Sequence, residues 1–299
     1  MDAILHFLFM VLMIGPVVLA AWGYVKWKKK PISQPDKKWN VVPTIINSSV
    51  LYALAYNIIY FIQELFLALG KKWIGLKAYL YHNNHSWLGE DPRDDLMQGL
   101  GALAIFILGI LLMMLFFRIR KSKHWTSLFV LWLAHHGLIQ SLPQLSSVPM
   151  DRNSDVGQAI TYLQLGSTLD YLISYASIIA IIILAYGFSR WFMQFIPVHI
   201  DPDHGIKRFR SIFYLVLLPA IIGTIILFPY RIMPVNRYQM TVMLLLVCVP
   251  AIFAFSWLIK GVKPIENEIN HKVVIVPIVL SILTLLFFQL ILAPGVVFE

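Results

Sequence analysis

Four ionisable side chains lie inside apolar stretches of this sequence, and they are the first candidates for chemistry. They are Glu64, His135, His136 and Asp170. A titratable group is costly in hydrocarbon, so such residues face a protein interior or a water-filled cavity and mark functional sites. At a rise of about 1.5 Å per residue, all four are expected between the middle of a membrane and its outer surface. We therefore predict one outward-opening pocket in which they meet.

The same side chains predict a metal site, because imidazole and carboxylate groups bind zinc and iron. Two more histidines lie in the loop that follows Glu64. The full set of candidate ligands is His82, His85, His135, His136, Glu64 and Asp170. Adjacent helical residues point about 100° apart, so only one of His135 and His136 can face such a site. Alternatively, the loop histidines are solvated and the buried groups hold helices together through hydrogen bonds and an ion pair.

Three functions are compatible with these residues. In a membrane enzyme, the predicted catalytic residues are Glu64, His135 and Asp170. They would act as a base, as ligands or as proton carriers, with or without zinc or iron. In a transporter, the same Glu, His and Asp series forms a proton relay. In a structural or assembly subunit of a membrane complex, these groups only serve helix packing.

Further polar side chains accompany the candidate site. Five glutamines share its half of the membrane: Gln63, Gln98, Gln140, Gln144 and Gln164. The loop after Glu64 adds the sequence His-Asn-Asn-His-Ser-Trp at 82–87, which is rich in hydrogen-bond donors. An acidic run at 90–95 follows, and a solvated loop is the simplest interpretation of it.

Membrane-spanning helices must position these side chains. The chain of 299 residues is 59% hydrophobic and 13% charged, whereas soluble domains are about 45–50% apolar and about 25% charged. The apolar residues form stretches of about twenty, the length that crosses a hydrocarbon core of about 30 Å. The sequence thus predicts an all-α polytopic membrane protein. Its eight predicted spans are 4–25, 41–69, 98–117, 125–145, 159–193, 212–229, 240–259 and 273–292.

Basic residues predict the orientation of these spans. Alternate connections hold 17 and 7 of the 24 Lys and Arg residues. Cytoplasmic loops carry the excess of Lys and Arg, so the richer connections at 26–38, 118–123, 190–210 and 260–272 are assigned to the cytoplasm. Both termini then face outward. The first stretch ends, rather than begins, with positive charge, so we expect a retained helix and not a signal peptide.

The same charge distribution bounds the partners. The net charge of +9 is explained by topology and by contact with anionic lipid headgroups, so nucleic acid is not an expected partner. We expect the lipid bilayer and other membrane subunits as partners, and a bacterial inner membrane as the location. The longest connection, 70–97, is too short to fold alone, which predicts a single transmembrane domain over 1–299. The lone cysteine, Cys248, excludes an intramolecular disulfide.

The run from Gln63 to Leu76 resembles the active-site helix of the site-two protease family of intramembrane metalloproteases. That family has a His-Glu-x-x-His motif followed by apolar residues and a glycine, and a later helix supplies an aspartate as third zinc ligand. The resemblance implies that Glu64 is the motif glutamate and Asp170 the later aspartate. Gln63 and Leu67 stand at the two histidine positions, so the resemblance implies a degenerate relative without that zinc site. The loop 82–87 also resembles one in a group of bacterial multi-pass membrane proteins, which assigns no activity.

Overall fold

The computed structural model describes residues 2–28, 39–201, 204–231, 249 and 251–298. Most of these residues are helical. The helices are α1 (Asp2–Lys28), α2 (Val41–Trp73), α3 (Asp94–Met97), α4 (Gly99–Ile119), α5 (Thr126–Ser146), α6 (Asp155–Tyr162), α7 (Ser167–Phe192), α8 (Gly205–Ile212), α9 (Leu218–Ile226) and α10 (Ile275–Phe287). A π-helical turn, Phe213–Leu217, joins α8 to α9, and a second, Phe288–Leu292, extends α10.

Six helical segments of the described ranges are long and apolar enough to cross a membrane. They are Ala3–Trp27, Val41–Trp73, Asp94–Ile119, Ser167–Phe195, Gly205–Ile226 and Ile275–Leu292. They support the predicted multi-pass membrane class. The predicted span 125–145 corresponds to α5, which has 21 residues like α4 but carries two histidines and two glutamines. The predicted span 240–259 lies largely outside the described residues.

Helix α2 is the centre of the bundle. Its membrane-length window is 67% buried, whereas that of α1 is 6% buried. Seven successive residues of α2, 51–57, are buried, and seven successive positions point in every direction around a helix. Helices α4, α5, α9 and α10 all pack against it. Protein therefore surrounds α2, which allows it to carry polar side chains through an apolar layer.

Helices α4 and α5 approach each other closely because glycines meet at their crossing. A Cβ atom added to Gly137 would lie 2.8 Å from both the Gly109 Cα and the Ile105 carbonyl oxygen. Small residues let two backbones come this near, which is the usual basis of tight helix pairs in membranes. The crossing fixes α5, and with it the two histidines that precede Gly137.

One end of the bundle, which we call the hairpin end, carries a small sheet. Its strands are β1 (Lys77–Leu80), β2 (His85–Leu88) and β3 (Val296–Phe298), in the order β2-β1-β3 with both pairs antiparallel. The Tyr81 N–H donates to the Asn84 carbonyl at 2.8 Å and closes the hairpin. The all-α prediction thus holds for the bundle and misses this sheet. Segments of three or four residues are too short to show strand periodicity in a sequence.

At the opposite end, which we call the lysine end, connections that were predicted to be cytoplasmic form hydrogen bonds with one another. The Glu268 N–H donates to the Lys123 carbonyl at 3.0 Å, and the Ile265 N–H donates to the Gln194 carbonyl at 2.7 Å. Partial burial alone would raise the pKa of Glu268. Hydrogen bonds from the Trp125 N–H and from Lys272 outweigh it and lower that pKa. The connections around Lys123, Gln194 and Glu268 therefore lie together at this end.

The predicted span 159–193 is wrong at its start, because the structure divides it into α6 and α7. Gln164 and Gly166 both have positive φ angles, +50° and +84°. This left-handed backbone ends a helix, so α7 starts only at Ser167. Helix α6 instead lies at the hairpin end and packs against α3 and α4.

We expect Gly137→Ala to lower the free energy of unfolding by about 1–3 kcal/mol, because its methyl group meets backbone atoms that cannot move aside. Gly15→Ala is the matched control in α1. Its methyl group would lie 3.8 Å from the Val11 side chain, an ordinary van der Waals contact. Detergent-denaturation curves of both variants measure the difference, and equal stability of the two would contradict the close crossing.

Candidate functional site

The buried contact between Glu64 and His85 is the centre of the candidate site. Helix α2 supplies Glu64 about two turns before its end, and β2 supplies His85 at its first residue. The Glu64 Oε2 and His85 Nδ1 atoms are 2.7 Å apart. The exposed fraction of Glu64 is 1% and that of His85 is 8%. The hairpin therefore folds back over α2 and places an imidazole on a carboxylate that would otherwise be buried alone.

This contact gives the two imidazole nitrogens different roles when Nδ1 carries the proton. With Glu64 ionised, the Nδ1–H of His85 donates to the carboxylate, which leaves a lone pair on Nε2 of the neutral ring. The His85 Nε2 atom is buried and has no hydrogen-bond partner among the described residues. A histidine oriented by a carboxylate, with its other nitrogen not hydrogen-bonded, can take a proton from a group placed beside it and return it later.

Beyond His85, toward the end of α2, the site includes Lys71 and Trp87. Lys71 is fully buried, its Nζ atom lies 3.9 Å from the Trp87 ring centroid, and it donates to the Asp94 carbonyl at 2.6 Å. The Trp87 ring is within 11° of parallel to the His85 ring, with centroids 5.8 Å apart. His85 is thus stacked against a ring that a buried cation also contacts, so its plane is held as well as its Nδ1 atom.

Glutamine contacts connect α2 to α5 beside the site. The Gln144 Nε2 atom donates to the Gln63 side-chain oxygen at 3.2 Å and to the Gln140 carbonyl at 2.8 Å. Gln98 and the Gln140 side chain are buried, whereas Gln164 is exposed. The structure therefore brings Gln63 and Gln144 together and leaves Gln164 exposed.

The other loop histidine, His82, is buried away from the Glu64 contact. Its ring stacks on Phe288 with centroids 5.6 Å apart. Phe288 begins the π-helical turn after α10, whose chain continues into β3. His82 therefore attaches the hairpin to the last helix. The expectation that both loop histidines are solvated does not hold for either of them.

The predicted His135 and His136 pair lies in an aromatic surrounding on α5. The His135 ring meets Phe188 at 5.0 Å, and the His136 ring meets Tyr52 at 4.7 Å and Tyr56 at 5.5 Å between centroids. Both histidines are fully buried, and neither ring nitrogen of His135 has a hydrogen-bond partner in the described ranges. The His136 ring also lacks a hydrogen bond of good geometry, although the Tyr52 backbone lies close to it.

The predicted site residue Asp170 forms an ion pair with Arg152, separate from the Glu64 contact and from the α5 histidines. Its Oδ2 atom accepts a hydrogen bond from Arg152 at 2.6 Å. Asp170 lies in the first turn of α7, where a carboxylate is favoured by the helix dipole. The pair connects α7 to the loop before α6, so a packing role explains this aspartate.

The predicted zinc or iron site is not supported. No three His, Cys, Asp or Glu side chains in the described part of the chain are placed so that they could hold a metal ion. The candidate ligands are instead divided among separate contacts. Glu64 and His85 pair with each other, His82 lies on Phe288, the α5 histidines lie among aromatic rings, and Asp170 pairs with Arg152. The buried groups therefore do not meet in the single pocket that the sequence predicted.

Lys71 is a site residue that the sequence analysis missed, and Trp87 was named only as part of the accompanying loop, although spacing could have indicated the place of both. Lys71 follows Glu64 by seven residues, which places two side chains on the same face of a helix. Trp87 follows His85 by two residues, which places them on the same face of a strand. The sequence did not indicate that β2 is a strand, because four residues are too few to show strand periodicity.

The chain matches no known protein family, no curated protein and no solved structure. Its resemblances to the site-two protease helix and to bacterial proteins with a similar loop stay predictions. Any proposal about function must therefore come from the geometry of its own residues.

The Glu64 contact predicts the tautomer of His85. In the neutral ring we expect the proton on Nδ1, because the Glu64 carboxylate accepts it. Glu64→Met should remove this preference and give a mixture of both tautomers, whereas Glu90→Met, at an exposed position of the same loop, should not. Nitrogen-15 NMR of histidine-labelled protein distinguishes the two forms. A wild-type His85 with its proton on Nε2 would contradict the arrangement.

Proposed function

We propose that the protein is a membrane-embedded acid–base catalyst, with His85 as the base and Glu64 as the carboxylate that orients it. The 2.7 Å contact between the two buried side chains is the observation that carries this proposal. Burying a carboxylate and an imidazole costs free energy. A pair of this kind, with no hydrogen bond to Nε2 of His85 among the described residues, has the chemistry of a general base.

The proposed reaction moves one proton at His85. Nε2 takes a proton from a hydroxyl group or a water molecule, whose oxygen then attacks the substrate. The imidazolium formed is stabilised by the ionised Glu64, and the same nitrogen returns the proton to the leaving group. His135 and Asp170 have no part in this proposal, because their contacts lie elsewhere.

A lipid or another membrane-embedded molecule is the proposed substrate. The site lies where membrane-length α2 meets the hairpin, so a substrate held in the bilayer can present a polar group there. We assign the hairpin end to the outside of a bacterial inner membrane, since the excess of Lys and Arg belongs to the opposite connections. Eight spans with both termini outside, counting α5 and 240–259, complete this topology.

An assembly role is a second proposal, and the exposure of α1 favours it. Only 6% of the membrane-length window of α1 is buried, so most of this helix is available to lipid or to another membrane subunit. Such a role would need no chemistry at Glu64 and His85. The two proposals therefore differ in whether an intact site changes any lipid.

Lipid turnover tests the catalytic proposal. Purified protein is reconstituted with a bacterial lipid extract, and lipid species are followed over time by mass spectrometry. We expect products with the wild type, and with the control His199→Gln at the exposed lysine end. His85→Gln should slow their formation by about 100-fold or more, the contribution of a general base. Identical, unchanging lipid profiles for all three would contradict catalysis on these lipids and favour assembly.

A further inference from the structure

The hairpin folds back along the membrane-length segments instead of extending beyond them. The Tyr60 hydroxyl donates to the Asn83 carbonyl, in the turn of the hairpin, at 3.2 Å. About 20 Å of helix separate Tyr60 from Trp73, the end of its membrane-length segment, at about 1.5 Å per residue. His82, in the same turn, stacks on Phe288, one π-helical turn before the end of the last such segment. The turn therefore lies beside the interior of two membrane-length segments.

The outer edge of β2 is open at this level. The Tyr81 N–H donates to the Asn84 carbonyl at 2.8 Å, which makes these two residues a hydrogen-bonded pair of the ladder. Hydrogen-bonded and non-hydrogen-bonded pairs alternate along antiparallel strands, so the register directs the backbone of Ser86 toward β1 and the backbones of His85 and Trp87 outward. β2 is an edge strand. The outward N–H and C=O groups of His85 and Trp87 have no hydrogen bond to another described residue.

The face of the hairpin that is turned away from α2 is polar. Successive side chains of a strand point to opposite faces, and His85 points to Glu64 on α2. The opposite face of the two strands carries Lys77, Tyr79, Ser86 and Leu88. Lys77 and Leu88 are exposed, and Tyr79 and Ser86 are partly exposed. Only one of the four is apolar, whereas a face covered by lipid tails favours apolar side chains.

Backbone and side chains of this kind need a polar partner at that level. Non-helical backbone is tolerated in the apolar layer only where it is buried in protein or lines a water-filled cavity. The edge of β2 has no partner among the described residues, and the neighbouring face is partly exposed. We propose that β2 lines a water-filled crevice, which opens at the hairpin end and brings water to the strand that carries His85.

The crevice makes water the second reactant of the proposed catalysis, and this step rests on that proposal. The Nε2 atom of His85 takes a proton from water, and the water oxygen forms a bond to the carbonyl carbon or phosphorus of an ester. The bond from that atom to the alcohol oxygen breaks, and the same nitrogen returns the proton to the alcohol. The substrate class is therefore a lipid ester, and the reaction is hydrolysis.

Cysteine labelling in proteoliposomes tests the crevice. The lone cysteine is removed by Cys248→Ala, and Ser86→Cys places a thiol on the polar face of β2. Phe66→Cys is the matched control, because Phe66 is 41% exposed and lies two residues beyond Glu64 on α2. A charged methanethiosulfonate reagent on both sides of the membrane reacts with thiolates in water, and mass spectrometry follows the modification. We expect Ser86→Cys to react at least about tenfold faster, since apolar surroundings raise a thiol pKa and each unit lowers the thiolate fraction about tenfold.

Equal labelling rates for the two variants, or no labelling of Ser86→Cys, would overturn the crevice. The second result would mean that lipid or another chain covers the edge of β2. Complete reaction of both variants in denaturing detergent confirms that each thiol is intact, and thermal unfolding confirms that each variant is folded.

The crevice and the catalysis fail separately, because labelling requires no turnover. Lipid turnover in water enriched in oxygen-18 tests water as the reactant, and we expect one heavy oxygen atom in each hydrolysed product. Products without it would reject hydrolysis. Labelled Ser86→Cys without any turnover would reject the catalysis and keep the crevice, whereas turnover with an unlabelled Ser86→Cys would reject the crevice alone.

Discussion

The cost of burying polar groups in an apolar layer is the constraint on which the rest of this structure depends. Helix α2 carries a carboxylate, a lysine, tyrosines and amides at the level of the membrane, and such groups need protein partners there. The bundle meets this need by placing α2 at its centre, with α4, α5, α9 and α10 around it. Helix α1, which is apolar and almost unburied, shows the opposite case, because its side chains are compatible with lipid.

The hairpin end follows from the same constraint. Glu64 lies near the end of α2, and the hairpin supplies His85 to cover its carboxylate. β3, near the end of the described chain, pairs with β1 and holds this hairpin in place. His82 on Phe288 and Lys71 on the Asp94 carbonyl add two further attachments. Segments far apart in the sequence thus cooperate to bury one carboxylate–imidazole pair.

The sequence predicted the multi-pass membrane class, because span length is a local signal. It indicated Glu64 as a candidate, since a carboxylate in an apolar stretch is conspicuous. His85 was among the same candidates, but its direct pairing with Glu64 could not be predicted, because it depends on a four-residue strand whose register is set by β1. The α5 histidines and Asp170 were assigned to the same pocket from depth alone. Depth does not specify direction around a helix, and their side chains have other partners.

Glu64 and His85 form one buried, interacting pair, and a double-mutant cycle measures that interaction directly. The free energy of unfolding is determined for the wild type, Glu64→Met, His85→Leu and the double variant. A buried pair predicts a coupling of about 1–3 kcal/mol, with the double variant less destabilised than the sum of the single variants, because neither change then leaves a polar partner alone. Additive effects, with a coupling near zero, would contradict the account.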